Sequence, residues 1–369
     1  MNNSIKILFL ILNILTGLNE LAANSVTVTY IANDGYLFSD GTHKIIVDCM
    51  FQQTSHKWYG PLRSVREKMV AGEKPFDDID AIIVTHAHSD HFEPDLVGEY
   101  LSRFQSTLIA PPQAVERLSG PVKGNILAAP AEYYQSRELK VGELKITVQT
   151  LYHVGGNRRA QNMVVHIDFN GLTILHAGDA NLDDLYNASF PETDIVMLSF
   201  WQGFDNEIME KIKKNLNPKH VIFKHTPYKD IAETDQKIED NYGRVSTDYT
   251  LFSGTYETIK YEKNNNRIEK KLIQPAPFLA HPLKARTFSA GQKFRIMIPE
   301  DTFTMFSASG KLVYSLAEID RKIPSSIQFD QEQKIIYGEI QSEQSVNIRI
   351  IAKAPSGAFS YDTLELTFK

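Results

Sequence analysis

Seven consecutive residues, Thr85-His86-Ala87-His88-Ser89-Asp90-His91, carry three imidazoles and one carboxylate. Neutral imidazole and carboxylate are the donors that zinc and neighbouring divalent cations take. A cation held this way brings the pKa of a bound water down to near neutrality, so the chemistry expected of the run is hydrolysis. The preceding residues suggest how the donors are aimed. Asp80-Ala81-Ile82-Ile83-Val84-Thr85 is short, mostly apolar and β-branched, as in a strand buried inside a sheet. In extended backbone alternate side chains share a face, so His86 and His88 point at one ion while Ala87 turns away. Asp90 and His91 break that alternation where the chain turns toward a helix opened by Glu93-Pro94-Asp95-Leu96, and the bend aims them at a second ion.

One short run cannot close two metal sites, so further donors are expected at the ends of other strands. His153 directly follows the alternating stretch 146–152 and precedes Gly155-Gly156. A hairpin is expected from strands 163–169 and 172–177 around Asn170-Gly171, a strong turn signal. It delivers Gly178-Asp179, a carboxylate behind a glycine and suited to bridging two cations. His225 closes a short strand over 219–224.

The run HAHSDH, His153, the Ala177-Gly178-Asp179 strand end and His225 together resemble the metallo-β-lactamase superfamily in order and spacing. The resemblance implies a four-layer αββα sandwich, with His86, His88 and His153 on a first metal, Asp90, His91 and His225 on a second, and Asp179 bridging. It also implies two divalent ions, zinc, manganese or iron, with Asp90 and Asp179 orienting the hydroxide. Ile45-Ile46-Val47-Asp48 resembles the family's early strand ending in a structural aspartate. The short loop beyond His91 looks closest to the ascorbate-6-phosphate lactonase-like branch, related to N-acyl phosphatidylethanolamine phospholipase D enzymes. Ester, lactone and phosphodiester substrates follow, small-molecule or lipid-like. A β-lactamase ranks lower because the substrate-carboxylate lysine of that subgroup has no clear counterpart, Lys224 beside His225 being the residue to examine.

Selectivity is expected from the surrounding loops. The residues there are Tyr152, Asn157, Arg158 and Arg159 after the third donor, Trp201 and Phe204 after strand 195–199, and Tyr228. Of the remaining histidines, His43 and His56 read as surface residues, His220 as the start of a strand and His281 as part of a linker. His166 and His176 read as a structural pair across their hairpin, His176 being also a candidate to support a ligand.

The chain has 369 residues, 42% of them hydrophobic, room for more than one domain and a sizeable core. A net charge of −6 argues against a general nucleic-acid surface. The single Cys49 excludes an internal disulfide framework and a cysteine-rich metal site. Lys6 followed by the apolar run Ile7–Leu15 and small residues near Ala22-Ala23 reads as a signal peptide over 1–23, giving an exported, periplasmic or extracellular protein. The hydrolase domain is expected over 24–274 and a linker over 275–282. From 283 to 369 short strands and turns resemble immunoglobulin-like and cadherin-like modules, implying a small β-sandwich. That module is expected to act as a spacer, a stabilising partner, or a contact for a glycan or protein. The contrasting reading is a metal-stabilised extracellular binding protein, set apart from an enzyme by whether coordination is left open for water.

Overall fold

The computed structural model describes residues 25–52, 57–187, 190–242, 248–305, 310–319 and 321–369, so the signal-peptide reading and His56 lie outside the described residues. Among the described residues no helix is long and apolar enough to cross a membrane.

Two sheets face each other. The first starts with the antiparallel strands β1 (Ser25–Ala32), β2 (Gly35–Ser39) and β3 (Lys44–Val47). It continues in parallel through β4 (Ala81–Ile83), β5 (Thr107–Ala110) and β6 (Ile126–Ala128). In the second sheet β7 (Ser136–Val141), β8 (Leu144–His153), β9 (Asn157–Phe169) and β10 (Leu172–His176) run antiparallel in turn. Then β11 (Ile195–Ser199), β12 (His220–Lys224) and β13 (Asp248–Leu251) follow β10 in parallel. A hairpin of β14 (Thr258–Asn264) and β15 (Arg267–Gln274) returns the chain to the first sheet, with β14 alongside β1.

Alternation along the strands builds the layers. Ile174, Ile195, Met197 and Ile222 join the apolar layer between the sheets, whereas Leu175, Val196, Leu198, Val221 and Phe223 belong to the opposite face. That outer face is covered by Leu185 of α4 (Leu182–Asn187), Met209, Ile212 and Leu216 of α5 (Asn206–Leu216) and Ile238 of α6 (Ile231–Tyr242). The first sheet takes its cover from α1 (Arg63–Ala71) and α2 (Pro94–Arg103), which bury Val65, Met69, Val97, Tyr100 and Leu101; α3 (Pro112–Val115) is a single turn. The architecture is the expected α/β sandwich with helices outside two sheets.

The expected hairpin forms, and a second one joins β14 to β15. Asn170 and Gly171 take φ of 50° and 99°, and Asn265 and Asn266 take 49° and 63°, the doubly left-handed backbone that matches the twist of two paired strands. The first hairpin separates His166 from His176. His166 sits opposite Leu175, and His176 opposite Val165, so the two rings lie on opposite faces of the sheet and do not pair. His220 opens β12 as expected and is buried, with Nε2 2.9 Å from Thr250 Oγ1. Cys49 is a buried free thiol whose S–H lies 3.2 Å from the carbonyls of both Tyr36 and Val47.

The remaining chain is all β among its described residues. Segment 275–282, read as a linker, contains β16 (Phe278–Leu279), which pairs with β19 (Phe303–Thr304) and is buried. One sheet comprises β17 (Arg286–Phe288), β20 (Val313–Glu318), β23 (Gln344–Lys353) and β24 (Phe359–Phe368), the other β18 (Lys293–Met297), β21 (Ile327–Asp330) and β22 (Ile335–Glu339). Phe288, Phe294 and Phe368 join them, with ring centroids 5.1–5.9 Å apart.

Glu257, just before β14, is buried and accepts hydrogen bonds from the backbone N–H and hydroxyl of Ser253 at 2.5 and 2.9 Å. Burial outweighs these donors and pushes its carboxyl up to about 7. A carboxyl raised in the folded state stabilises below the unfolded value, and the contribution is lost as pH rises through the folded one. The penalty therefore grows as pH rises from 4.5 and levels off above about 7 at on the order of 3 kcal/mol. Urea denaturation at pH 5 and pH 8 checks this: Glu257→Gln should flatten the pH dependence and be more stable than the parent at pH 8. An unchanged slope would show that Glu257 does not titrate in this range.

Candidate metal centre

The strands that deliver the donors end on one side of the molecule. β4 is followed by Thr85 and His86, β8 ends on His153, β10 leads through Gly178 to Asp179, and β12 is followed by His225. β8 and β10 each run antiparallel to β9, and β12 is parallel to β10 by way of β11, so all three point the same way.

All seven candidate donors converge. His86, His88 and His153 offer nitrogens within 4.8 Å of one another, and Asp90, His91 and His225 form a second such group. Asp179 lies between them: Oδ2 is 3.5 Å from His153 Nε2, 3.7 Å from His91 Nε2 and 3.6 Å from His225 Nε2. Asp90 Oδ2 lies 3.4 Å from His225 Nε2 and 3.8 Å from His91 Nε2. These gaps are long for hydrogen bonds but suit ligands sharing an ion at roughly 2.0–2.2 Å from each.

The fit to a cation is tested by the atoms left over. Nε2 of His86, His91 and His153 and Oδ1 of Asp179 are buried without a hydrogen-bond partner among the described residues. Each of the three imidazoles has its other nitrogen engaged. His91 Nδ1 donates to Asp48 Oδ2 at 2.9 Å, His153 Nδ1 donates to the Val154 carbonyl at 3.0 Å, and His86 Nδ1 lies 3.1 Å from Thr85 Oγ1. Thr85 Oγ1 itself donates to Asp48 Oδ2 at 2.5 Å, so its lone pair faces His86. An Nδ1–H held by a protein oxygen leaves Nε2 with the lone pair that a metal needs. Leaving several such atoms unpaired in the interior would be costly; a shared cation accounts for them together.

The electrostatics agree. Burial, reinforced by nearby His91, drives His86 well below the ordinary histidine range, and His88 is lowered by the same causes, so both are neutral donors. Burial opposes charge on His91 too, but Asp179 and Asp48 overcome it and hold its proton up to about 10. Burial raises Asp90, yet His225 and His91 bring it down to about 2, and Asp179 is likewise lowered by His225 and His91 against its burial. Ionised carboxylates and a proton that must leave are the ordinary linkage of cation binding to deprotonation.

Several supporting residues were not read as site residues. Asp48 was seen as structural; it also accepts the Thr85 N–H at 2.8 Å, locking the chain just before His86. Asn162 bridges the turn before Asp179, accepting from Asp179 N at 2.8 Å and donating to the Ala177 carbonyl at 3.0 Å. Gly178 has φ of 53°, and a Cβ there would lie 2.4 Å from Asn162 Oδ1, so glycine is required on two counts. Asn33 donates to the Asp90 carbonyl, and His176 accepts from Gly178 N at 3.2 Å while its Nε2 faces the Asp34 carbonyl. Only the turn signal Asn33-Asp34-Gly35 hinted that this segment mattered.

The expected substrate contacts divide. Trp201 stands edge-on to His225 with ring centroids 5.5 Å apart, and Tyr152 stacks on Tyr133 at 4.0 Å beside His153. Trp58, not singled out from sequence, is closer: its ring meets His225 at 4.3 Å, perpendicular to it. Tyr228 does not reach the site. It is buried, packed on Tyr59 and Tyr361, because the short helical turn Tyr228–Asp230 rotates it away. Phe204 packs on Phe200 and the helical layer. Asn157, Arg158 and Arg159 open β9, and their side chains lie outside the described residues.

Lys224 is also turned away from solvent. It is buried, with Nζ 2.5 Å from Asp34 Oδ2 and 2.7 Å from the Gly178 carbonyl, so it supports the floor of the site and cannot receive a substrate carboxylate. Lys224→Met should therefore lower stability by about 3–5 kcal/mol, as when one partner of a buried ion pair is removed. Calorimetric melting decides: an unchanged Tm would point back to a surface role. Asp48→Asn should keep the fold and weaken zinc binding roughly 10–100-fold in isothermal titration, since it loses the charge that orients His91.

A family model described as "Beta-lactamase superfamily domain" matches residues 27–225, more than half of the chain, and one described as "Putative Ig domain" matches 276–369. A UPF0173 metal-dependent hydrolase of Pyrococcus furiosus is 26% identical over 210 residues, covering 54% of this chain and 84% of that protein. Among solved structures, the metallo-β-lactamase fold protein YhfI of Bacillus subtilis superposes with a TM-score of 0.47 at 15% identity, covering 64% of this chain and 99% of YhfI. Igni18, a metallo hydrolase of Ignicoccus hospitalis, gives 0.45 at 18% identity, covering 65% and 100%. The donor set, the strands that carry it and the family match agree, and the chain belongs to the metallo-β-lactamase superfamily as a metal-dependent hydrolase with an immunoglobulin-like domain at its C-terminus.

Proposed function

We propose that the protein is an exported hydrolase that works with two divalent cations, zinc by preference with manganese or iron as substitutes, on an ester, lactone or phosphodiester. The observation that carries this reading is the position of Asp179 Oδ2, at 3.5–3.7 Å from nitrogens of both histidine groups. His86, His88 and His153 would hold one ion, Asp90, His91 and His225 the other, with Asp179 shared. Bound there, such ions supply a nucleophilic hydroxide at neutral pH and polarise the oxygen of the bond to be broken.

The side chains have definite tasks in this reaction. Asp90 and Asp179, ionised at neutral pH, accept hydrogen bonds from the attacking water and fix its line of approach. Trp58 and Trp201 wall the site beside His225, and Tyr152 with Tyr133 walls it beside His153. Aromatic walls on two sides favour a substrate with an apolar flank, lipid-like or a lactone ring. The engagement of Lys224 with Asp34 supports the low rank of β-lactams. Export rests on the apolar leader Ile7–Leu15.

Elemental analysis of natively expressed protein should find two metal ions per chain. A panel of esters, lactones, phosphodiesters and β-lactams should show turnover in the first three classes, with Asp90→Ala and Asp179→Ala lowering kcat roughly 10²–10⁴-fold. One ion per chain, or β-lactams as the preferred substrates, would refute the assignment.

A further inference from the structure

His225 differs from three of its fellow donors. Nδ1 of His86, His91 and His153 each faces a protein oxygen, whereas His225 Nδ1 is buried with no hydrogen-bond partner among the described residues. Its backbone is left-handed, with φ of 60°. What surrounds the ring is aromatic: Trp58 perpendicular to it at 4.3 Å and Trp201 at 5.5 Å. Packing must do for His225 what a hydrogen bond does for the others.

Trp58 is in turn held from far along the chain. It forms an isolated antiparallel bridge with Pro227, and Tyr228 N donates to the Lys57 carbonyl at 3.3 Å, tying residues 57–58 to the segment that carries His225. Two residues on, Gly60 meets the C-terminal domain. The Tyr361 hydroxyl, on β24, accepts from Gly60 N–H at 3.0 Å and donates to the Gly60 carbonyl at 3.2 Å. Both polar groups of one peptide residue are thus satisfied by a single phenol. The Tyr361 ring packs on Tyr59 at 4.9 Å and on Tyr228 at 5.4 Å, with the Arg349 guanidinium over the ring at 4.6 Å. The next residue, Asp362, pairs with Lys229 at 3.3 Å, and Phe359 N donates to the Thr255 carbonyl, so β24 is anchored to the hydrolase domain on both sides of Tyr361.

We propose that the immunoglobulin-like domain is a working part of the metal centre: Tyr361 positions the loop through Gly60 so that Trp58 fixes the His225 ring. Tyr361 is a positioning residue acting through Trp58 and touches neither metal nor substrate. The inference rests on His225 belonging to the donor set and is independent of substrate class and of the number of ions.

The chain has two tryptophans, so Trp201→Phe leaves Trp58 as the sole reporter. In that full-length background, Tyr361→Phe keeps the ring and removes both hydrogen bonds. In metal-free protein the Trp58 emission should move to the red and its quenching by acrylamide should rise at least about twofold, as for a locally loosened segment. Titration with zinc, followed by Trp58 emission, should show binding weakened roughly tenfold, the scale of losing an outer support. Tyr314→Phe, in the sandwich beside Phe303, controls for general loss of stability and should change neither reading. Unaltered Trp58 emission and zinc binding in Tyr361→Phe would overturn the proposal, as would equal changes in Tyr314→Phe. The metal-free emission stands even if the binuclear assignment fails.

Discussion

The carboxylate of Asp48 is the constraint on which the site turns. It sits at the end of β3 with left-handed backbone, φ of 47°, and is almost fully buried. Three donors converge on it: the Thr85 amide, the Thr85 hydroxyl and His91 Nδ1. A buried carboxylate without donors is untenable, and a donor run without an anchor would be free to turn, so each side of this arrangement makes the other stable. Through Thr85 and His91 the same group sets the start and the end of the HAHSDH run, while the parallel pairing of β3 and β4 sets the distance between them.

Charge explains why this architecture suits a cation. Among the described residues, Asp34, Asp48, Asp90 and Asp179 cluster around the centre against one buried ammonium, Lys224. Lys224 answers Asp34, so the surplus negative charge lies on the side of the donors. Histidine protons can neutralise it in part, as the raised His91 shows; divalent ions do so without leaving nitrogens unpaired. The lysine ties Asp34 to the Gly178 carbonyl beneath the site.

What sequence revealed and what it hid follow from distance along the chain. The convergence of the candidate donors was legible because alternation and strand ends are local patterns, and because Asn170-Gly171 specifies its hairpin unaided. Asp34 and Lys224 are 190 residues apart, and Gly60 and Tyr361 are 301 apart; nothing in either neighbourhood announces its partner. Tyr228 was misread for the opposite reason. Being three residues from His225 it seemed bound to share the cleft, yet one turn of tight helix sends it inward. Trp58 was overlooked since an isolated tryptophan carries no periodic signal, and its role depends on a bridge to Pro227 formed in three dimensions.

Cys49 gives this protein a further property. The thiol is enclosed, engaged with two carbonyls, and burial followed by the charge of Asp48 pushes its ionisation well up, leaving little thiolate to react. With no second cysteine in the chain, the native state has no covalent cross-link to acquire or lose. Folding of the chain therefore involves no disulfide between its own residues.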